Sequence, residues 1–119
     1  MKKRILYVDD SDANQAFMKL LFKNKNIDIV VANNGAEGLE MFKSHPFDLI
    51  IADLYMPIMN GIQMYKEIRK INKKIPVIGF TGADLDMEDD EVSTLGFTKM
   101  IHKPIDDADL IQSIESYLK

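Results

Sequence analysis

The chain has 119 residues, 46% hydrophobic and 29% charged, which suits one soluble globular domain over residues 1–119 with its own core and no room for a second. Its 19 acidic residues against 15 basic ones give a net charge of −4, which argues against a phosphate-contacting nucleic-acid surface. Because there is no cysteine, disulfides, thiolate metal sites and cysteine nucleophiles are excluded, and a reducing cytoplasm is compatible.

The basic start Met1–Arg4 leads into an apolar run, Ile5–Val8, that Asp9 stops at once. The run is too short for a signal peptide or a membrane span and reads as a first strand. Behind it, Ala13, Phe17, Leu20 and Leu21 form a helical stripe, with Ser11 or Asp12 available as the cap. Ile27–Val31 is the second strand. Asn34 and Glu37 form a capping pair for a second helix, which carries Leu39 and Phe42 and stops before Pro46. Leu49–Ala52 is the third strand, ending at Asp53, and after Asn60-Gly61 a third helix aligns Met64, Tyr65, Ile68 and Ile71.

Val77–Phe80 is the fourth strand, ending at Thr81, and Met100–Ile101 marks a fifth, ending near Lys103. Between these two strands the segment from Asp84 to Glu91 is mostly acidic, leaving Met87, Val92 and Leu95 to hold a fourth helix, the expected most mobile part of the fold. The acidic run reads as a solvated helix face, or alternatively as a selector of a basic partner. Asp106 is placed to cap a last helix whose Leu110, Ile111, Ile114 and Leu118 share a face.

Short continuous apolar runs are the mark of strands covered on both faces, and the segments between them are long enough for helical crossovers. Strict alternation predicts an α/β doubly wound, flavodoxin-like (βα)5 domain with a parallel sheet in the order 2-1-3-4-5. Its switch point lies between strands 1 and 3, where ligands bind at the strands' carboxyl ends. Asp9, Asp10 and Asp53 fall there, and Thr81 and Lys103 end the next two strands.

Clustered carboxylates repel unless a cation neutralises them, and oxygen-only donors without His or Cys suit a hard ion, Mg2+. A carboxylate can also attack phosphorus to form an acyl phosphate, with cations stabilising the equatorial oxygens. Asp53 is best placed for the attack, Lys103 to pair with the phosphoryl group and Thr81 to hydrogen-bond one of its oxygens. His45 and His102 have no metal-ligand partner at useful spacing, and no nucleotide-binding glycine loop is present.

Ile5-Leu6-Tyr7-Val8-Asp9-Asp10, Asp53-Leu54-Tyr55-Met56-Pro57 with Gly61, Thr81-Gly82 and Lys103-Pro104 together resemble the receiver domain of two-component response regulators, over essentially the whole chain. The resemblance implies that Asp53 is the phosphoacceptor and Asp10 a direct Mg2+ ligand. It also implies that Asp9 assists through water, that Tyr55 offers its backbone carbonyl, and that Thr81 and Lys103 are the switch hydroxyl and the phosphate-sensing lysine. A cis peptide before Pro104 is implied too.

The implied partners are a histidine kinase or histidine phosphotransfer protein and a downstream protein target or output domain, with no direct nucleic acid and no membrane. Such a domain is a signalling phosphoacceptor that assists its own phosphorylation and dephosphorylation rather than an enzyme. The sequence shows no output domain, so a stand-alone regulator and the receiver of a larger sensor kinase are both expected forms.

One departure from the family pattern is Met100, where receivers commonly carry a switching Tyr or Phe. Two rival readings stand beside the receiver. A haloacid-dehalogenase-like phosphatase would use Asp10 as nucleophile and Asp12 as acid, and a pseudo-receiver would keep the fold as an interaction module without phosphorylation.

Overall fold

A computed structural model describes residues 2–54, 56–81, 96–102 and 106–118, with the side chain of Thr81 outside the described set. The chain alternates β1 (Lys3–Val8), α1 (Asp12–Leu21), β2 (Ile27–Ala32), α2 (Gly35–Ser44), β3 (Leu49–Asp53), α3 (Gly61–Ile71), β4 (Val77–Thr81), β5 (Lys99–His102) and α4 (Asp107–Ser116). The five strands form one sheet in the order β2-β1-β3-β4-β5, every pairing parallel, as the alternation predicts. The expected helix around Asp84–Leu95, its acidic run and the Lys103-Pro104 peptide lie outside the described residues.

Because side chains alternate along a strand, β1 to β4 each feed two cores. Ile5, Tyr7, Leu49, Ile51, Ile78, Phe80 and Ile101 pack with Met18 and Phe22 beside α1 and with Leu110 and Ile114 of α4. On the other face Leu6, Val8, Ile50, Ala52 and Val77 meet Met64, Tyr65 and Ile68 of α3 and the half-buried Leu39 and Phe42 of α2. Two covered faces explain why these strands are uninterrupted apolar runs rather than alternating ones.

The helix starts follow local chemistry. Ser11, Asn34, Asn60 and Asp106 each accept a backbone N–H of the first turn. At α3 the cap is reciprocal, since Gln63 Oε1 accepts the Asn60 N–H at 2.9 Å while Asn60 Oδ1 accepts the Gln63 N–H at 2.9 Å.

Two expected faces are corrected. In α1 the stripe Ala13–Phe17–Leu20 points outward, Phe17 being 42% and Leu20 69% exposed, while Gln15, Met18 and the following Phe22 are buried and Leu21 is half-buried. The helix is turned by one residue, about 100°, from the apolar stripe. The reason is polar: the Gln15 amide is drawn inward to donate to the Asp9 carbonyl at 2.6 Å and to Asn33 Oδ1 at 3.0 Å. At α3, Ile71 is 54% exposed: it is the last residue of the helix, which Asn72 ends by donating its N–H to Ile68 O.

Candidate functional site

Register builds the site. Val8 of β1 lies opposite Ala52 of β3, so Asp9 and Asp53 emerge side by side at the carboxyl edge. Asp53 in turn pairs with Phe80, and Thr81 with His102, which brings the ends of β4 and β5 to the same edge. Asp53 is the last residue of β3, one position further into the strand than the apolar run suggests.

Asp9, Asp10 and Asp53 each present a carboxylate oxygen within 4.8 Å of the others, with Asp9 buried, Asp10 exposed and Asp53 half-buried. Thus the structure brings together three of the sequence-predicted residues. For Thr81 the backbone ends β4 at this edge, Lys103 and Tyr55 lie outside the described residues, and Met100 sits on β5 opposite Gly79. A methyl at Gly79 would run into the Met100 sulfur and lie 2.8 Å from its Cε, so the methionine side chain fills the space that the glycine leaves over the sheet.

Asp9 is 1% exposed, and burying a carboxylate is costly unless donors surround it. They do: the Tyr7 phenol donates to Oδ2 at 2.6 Å, Asn14 Nδ2 to the same oxygen at 3.1 Å, and the Ser11 N–H to Oδ1 at 2.9 Å. The Asp9 N–H donates to Ala32 O at 3.0 Å. Burial, then the hydrogen bond to Asp9, then the charges of Asp9 and Asp53 hold the Tyr7 phenol far above the usual tyrosine range, so it acts as a donor at every ordinary pH.

From Asp9 the chain of bonds continues through Gln15 to Asn33, whose Nδ2 donates to Glu37 Oε2 at 3.2 Å, tying the start of α1 to the start of α2. Tyr7, Asn14 and Gln15 were not singled out by sequence reasoning. Their only signal was a phenol inside an aliphatic strand and two amides on a face read as solvent.

The loop after β3 is pinned to the same edge. The Gly61 N–H donates to Leu54 O at 3.2 Å, and a side chain at Gly61 would collide with the Asp53 carbonyl, so only glycine permits this close return of the loop. Within it Ile58 holds φ 71°, a left-handed conformation unusual for a β-branched residue, and is 82% exposed.

Such a donor set, all oxygen and clustered at a sheet edge, fits a magnesium ion. Among the described residues no helix is long and apolar enough to cross a membrane.

Comparison with known proteins agrees with this geometry. The family model of the response regulator receiver domain matches residues 5–115. The chain is 32% identical over 120 residues to the CAI-1 autoinducer sensor kinase/phosphatase CqsS of Vibrio cholerae, covering 98% of this chain and 18% of that protein. It is 28% identical to the polar-differentiation response regulator DivK of Brucella anthropi, covering 99% of this chain and 98% of that one. The solved structure of chemotaxis protein CheY4 of Vibrio cholerae matches with a TM-score of 0.89 at 25% identity, over 99% of this chain and 100% of that one. The chain spans only 11% to 18% of the length of the sensor kinases it matches.

A dehalogenase-like reading centred on Asp10 and Asp12 finds no support in these matches. Asp12 is spent as the first residue of α1, where its charge favours the helix start. With family model, relatives and fold in agreement, the chain belongs to the response regulator receiver domain family, the phosphoaccepting signalling modules of two-component systems.

Proposed function

We propose that residues 1–119 act as a receiver whose phosphoacceptor is Asp53. The observation that carries this is the position of its carboxylate, half-buried at the end of a central strand and within 4.8 Å of the carboxylates of Asp9 and Asp10. A carboxylate oxygen of Asp53 attacks the phosphorus of a phosphohistidine, the P–N bond breaks, and the imidazole leaves as a neutral group after taking a proton. Hydrolysis of the resulting acyl phosphate by water resets the domain, assisted by the same residues.

Asp10 and Asp53, with the Tyr55 backbone carbonyl, would hold a Mg2+ ion, and Asp9 would support it through water. When bound, the ion neutralises the carboxylates and the developing charge on the phosphoryl oxygens. Lys103 supplies a second positive charge to the phosphoryl group and Thr81 a hydrogen bond; the pairing of Thr81 with His102 at the ends of β4 and β5 supports the Thr81 part of this reading. Phosphorylation shifts the population between two states of the face around β4 and β5. Met100, packed against Gly79, takes the place of the usual aromatic in the readout, moving by rotamer change rather than by ring swing. The donor is a histidine kinase or histidine phosphotransfer protein in the cytoplasm, and the output is a protein contact.

The test is incubation with Mg2+ and a small acyl phosphate donor, followed by peptide mass analysis. A phosphoryl mass gain on the Asp53 peptide, absent in Asp53→Asn and without added Mg2+, is expected. No gain in the wild type refutes the assignment and leaves the pseudo-receiver, and the same gain on that peptide in Asp53→Asn refutes Asp53 as the phosphoacceptor.

A further inference from the structure

We propose that Tyr7 is a positioning residue for the divalent cation, acting through Asp9. Tyr7 reaches the site from the core between the sheet and helices α1 and α4, is 1% exposed, and donates its phenol O–H to Asp9 Oδ2 at 2.6 Å. Any aliphatic side chain would fill that strand position; a phenol is tolerated there because its oxygen has a partner. The partner is the one buried carboxylate of the acidic cluster.

Three carboxylates drawn within 4.8 Å of one another repel before a cation arrives, and a loosely held Asp9 would turn away from Asp10 and Asp53. Tyr7 from the core side and Asn14 Nδ2 from α1, at 3.1 Å, clamp the same Asp9 oxygen, while the Ser11 N–H holds the other. The carboxylate is therefore oriented in advance, and the cost of ordering it falls on folding rather than on ion binding. Because the clamp donors are neutral, they fix Asp9 without competing with the cation for the cluster's negative charge. The inference rests on the reading of Asp10 and Asp53 as the ion's ligands.

The experiment is calorimetric titration of the full chain with Mg2+ alone, for wild type, Tyr7→Phe, Asn14→Ala and Asp10→Asn, alongside the tyrosine near-ultraviolet difference spectrum on adding Mg2+. Loss of one clamp donor is expected to raise the Mg2+ Kd by about threefold to tenfold in both Tyr7→Phe and Asn14→Ala. The spectral change, arising as the ion draws electron density from the acceptor of the Tyr7 bond, is expected in wild type and Tyr65→Phe and absent in Tyr7→Phe. Should Tyr7→Phe fail to fold, Asn14→Ala tests the clamp from an outer helix position where alanine favours the helix. Wild-type Kd in the folded clamp variants, or a spectral change that survives Tyr7→Phe, overturns the proposal and leaves Tyr7 a core residue. If wild type binds no Mg2+, or Asp10→Asn binds it equally well, the reading of the cation site itself falls, and the clamp with it.

Discussion

Replacing Asp10 by Asn should stabilise the metal-free domain while removing its response to magnesium. Asp10 faces two carboxylates, each presenting an oxygen within 4.8 Å. Since Asp10 is exposed, the dielectric of water is the appropriate screen, giving about 0.9 kcal/mol of repulsion for each pair. Against this, Asp10 sits just before the Ser11 cap of α1, where losing a negative charge costs about 0.3–1 kcal/mol of helix-dipole stabilisation. The net expectation is about 1 kcal/mol, or about 3–5 °C in Tm for a chain of this size, in chelator at low salt. In about 1 M salt the Debye length is about 3 Å and the gain should largely vanish. Saturating Mg2+ should raise the Tm of wild type and leave that of Asp10→Asn nearly unchanged, by mass action on the folded state. Thermal unfolding followed by circular dichroism, for both proteins in chelator at low and at high salt and in saturating Mg2+, measures each of these. An Asp10→Asn protein no more stable than wild type in chelator, or a gain indifferent to salt, would refute the electrostatic reasoning.

The buried face of α1 can be tested by paired truncations: Met18→Ala should cost about 2–5 kcal/mol in urea unfolding, whereas Leu20→Ala on the exposed side should stay within about 0.5 kcal/mol. Equal costs would restore the apolar-stripe orientation. Gly79→Ala should destabilise by about 1–3 kcal/mol through its collision with Met100, and Met100→Ala in the same chain should recover part of that loss; purely additive effects in a double-mutant cycle would show that the two do not share space. At high pH, the folded-state pKa of Tyr7 lies above the value of 10.0 it has when unfolded. Its contribution is therefore fully present below about pH 10 and lost as pH rises beyond it, so the alkaline fall in wild-type stability should be shallower in Tyr7→Phe when urea midpoints are compared across that range.

Much of this protein is legible in its sequence. Ile5–Val8 and Leu49–Ala52 are unbroken apolar runs because they are covered twice, and each stops at a carboxylate, so the strands and the acidic edge could be read together. Helix starts were legible for a similar reason: Asn34 and Asp106 cap through contacts made within three residues, whereas the Asn60 cap of α3 emerges only in the structure. The rotation of α1 was not legible, because apolar periodicity weighs Phe17 and Leu20 by their hydrophobicity and takes no account of the hydrogen bonds that pull Gln15 inward. Likewise Ile71 carries the right spacing for burial, but it is the last residue of α3 and stays exposed.

The strand and helix alternation, and the carboxylates that stop the first and third strands, are read from the sequence because they depend on local periodicity and on residue type. The tertiary structure decided which oxygens meet, which face of α1 turns inward and that a core phenol grips the buried carboxylate. Those outcomes depend on parallel register and on hydrogen bonds such as that from Gln15 of α1 to Asn33 beyond β2, between residues far apart in sequence, and such bonds form only when the sheet has already brought the strand ends together.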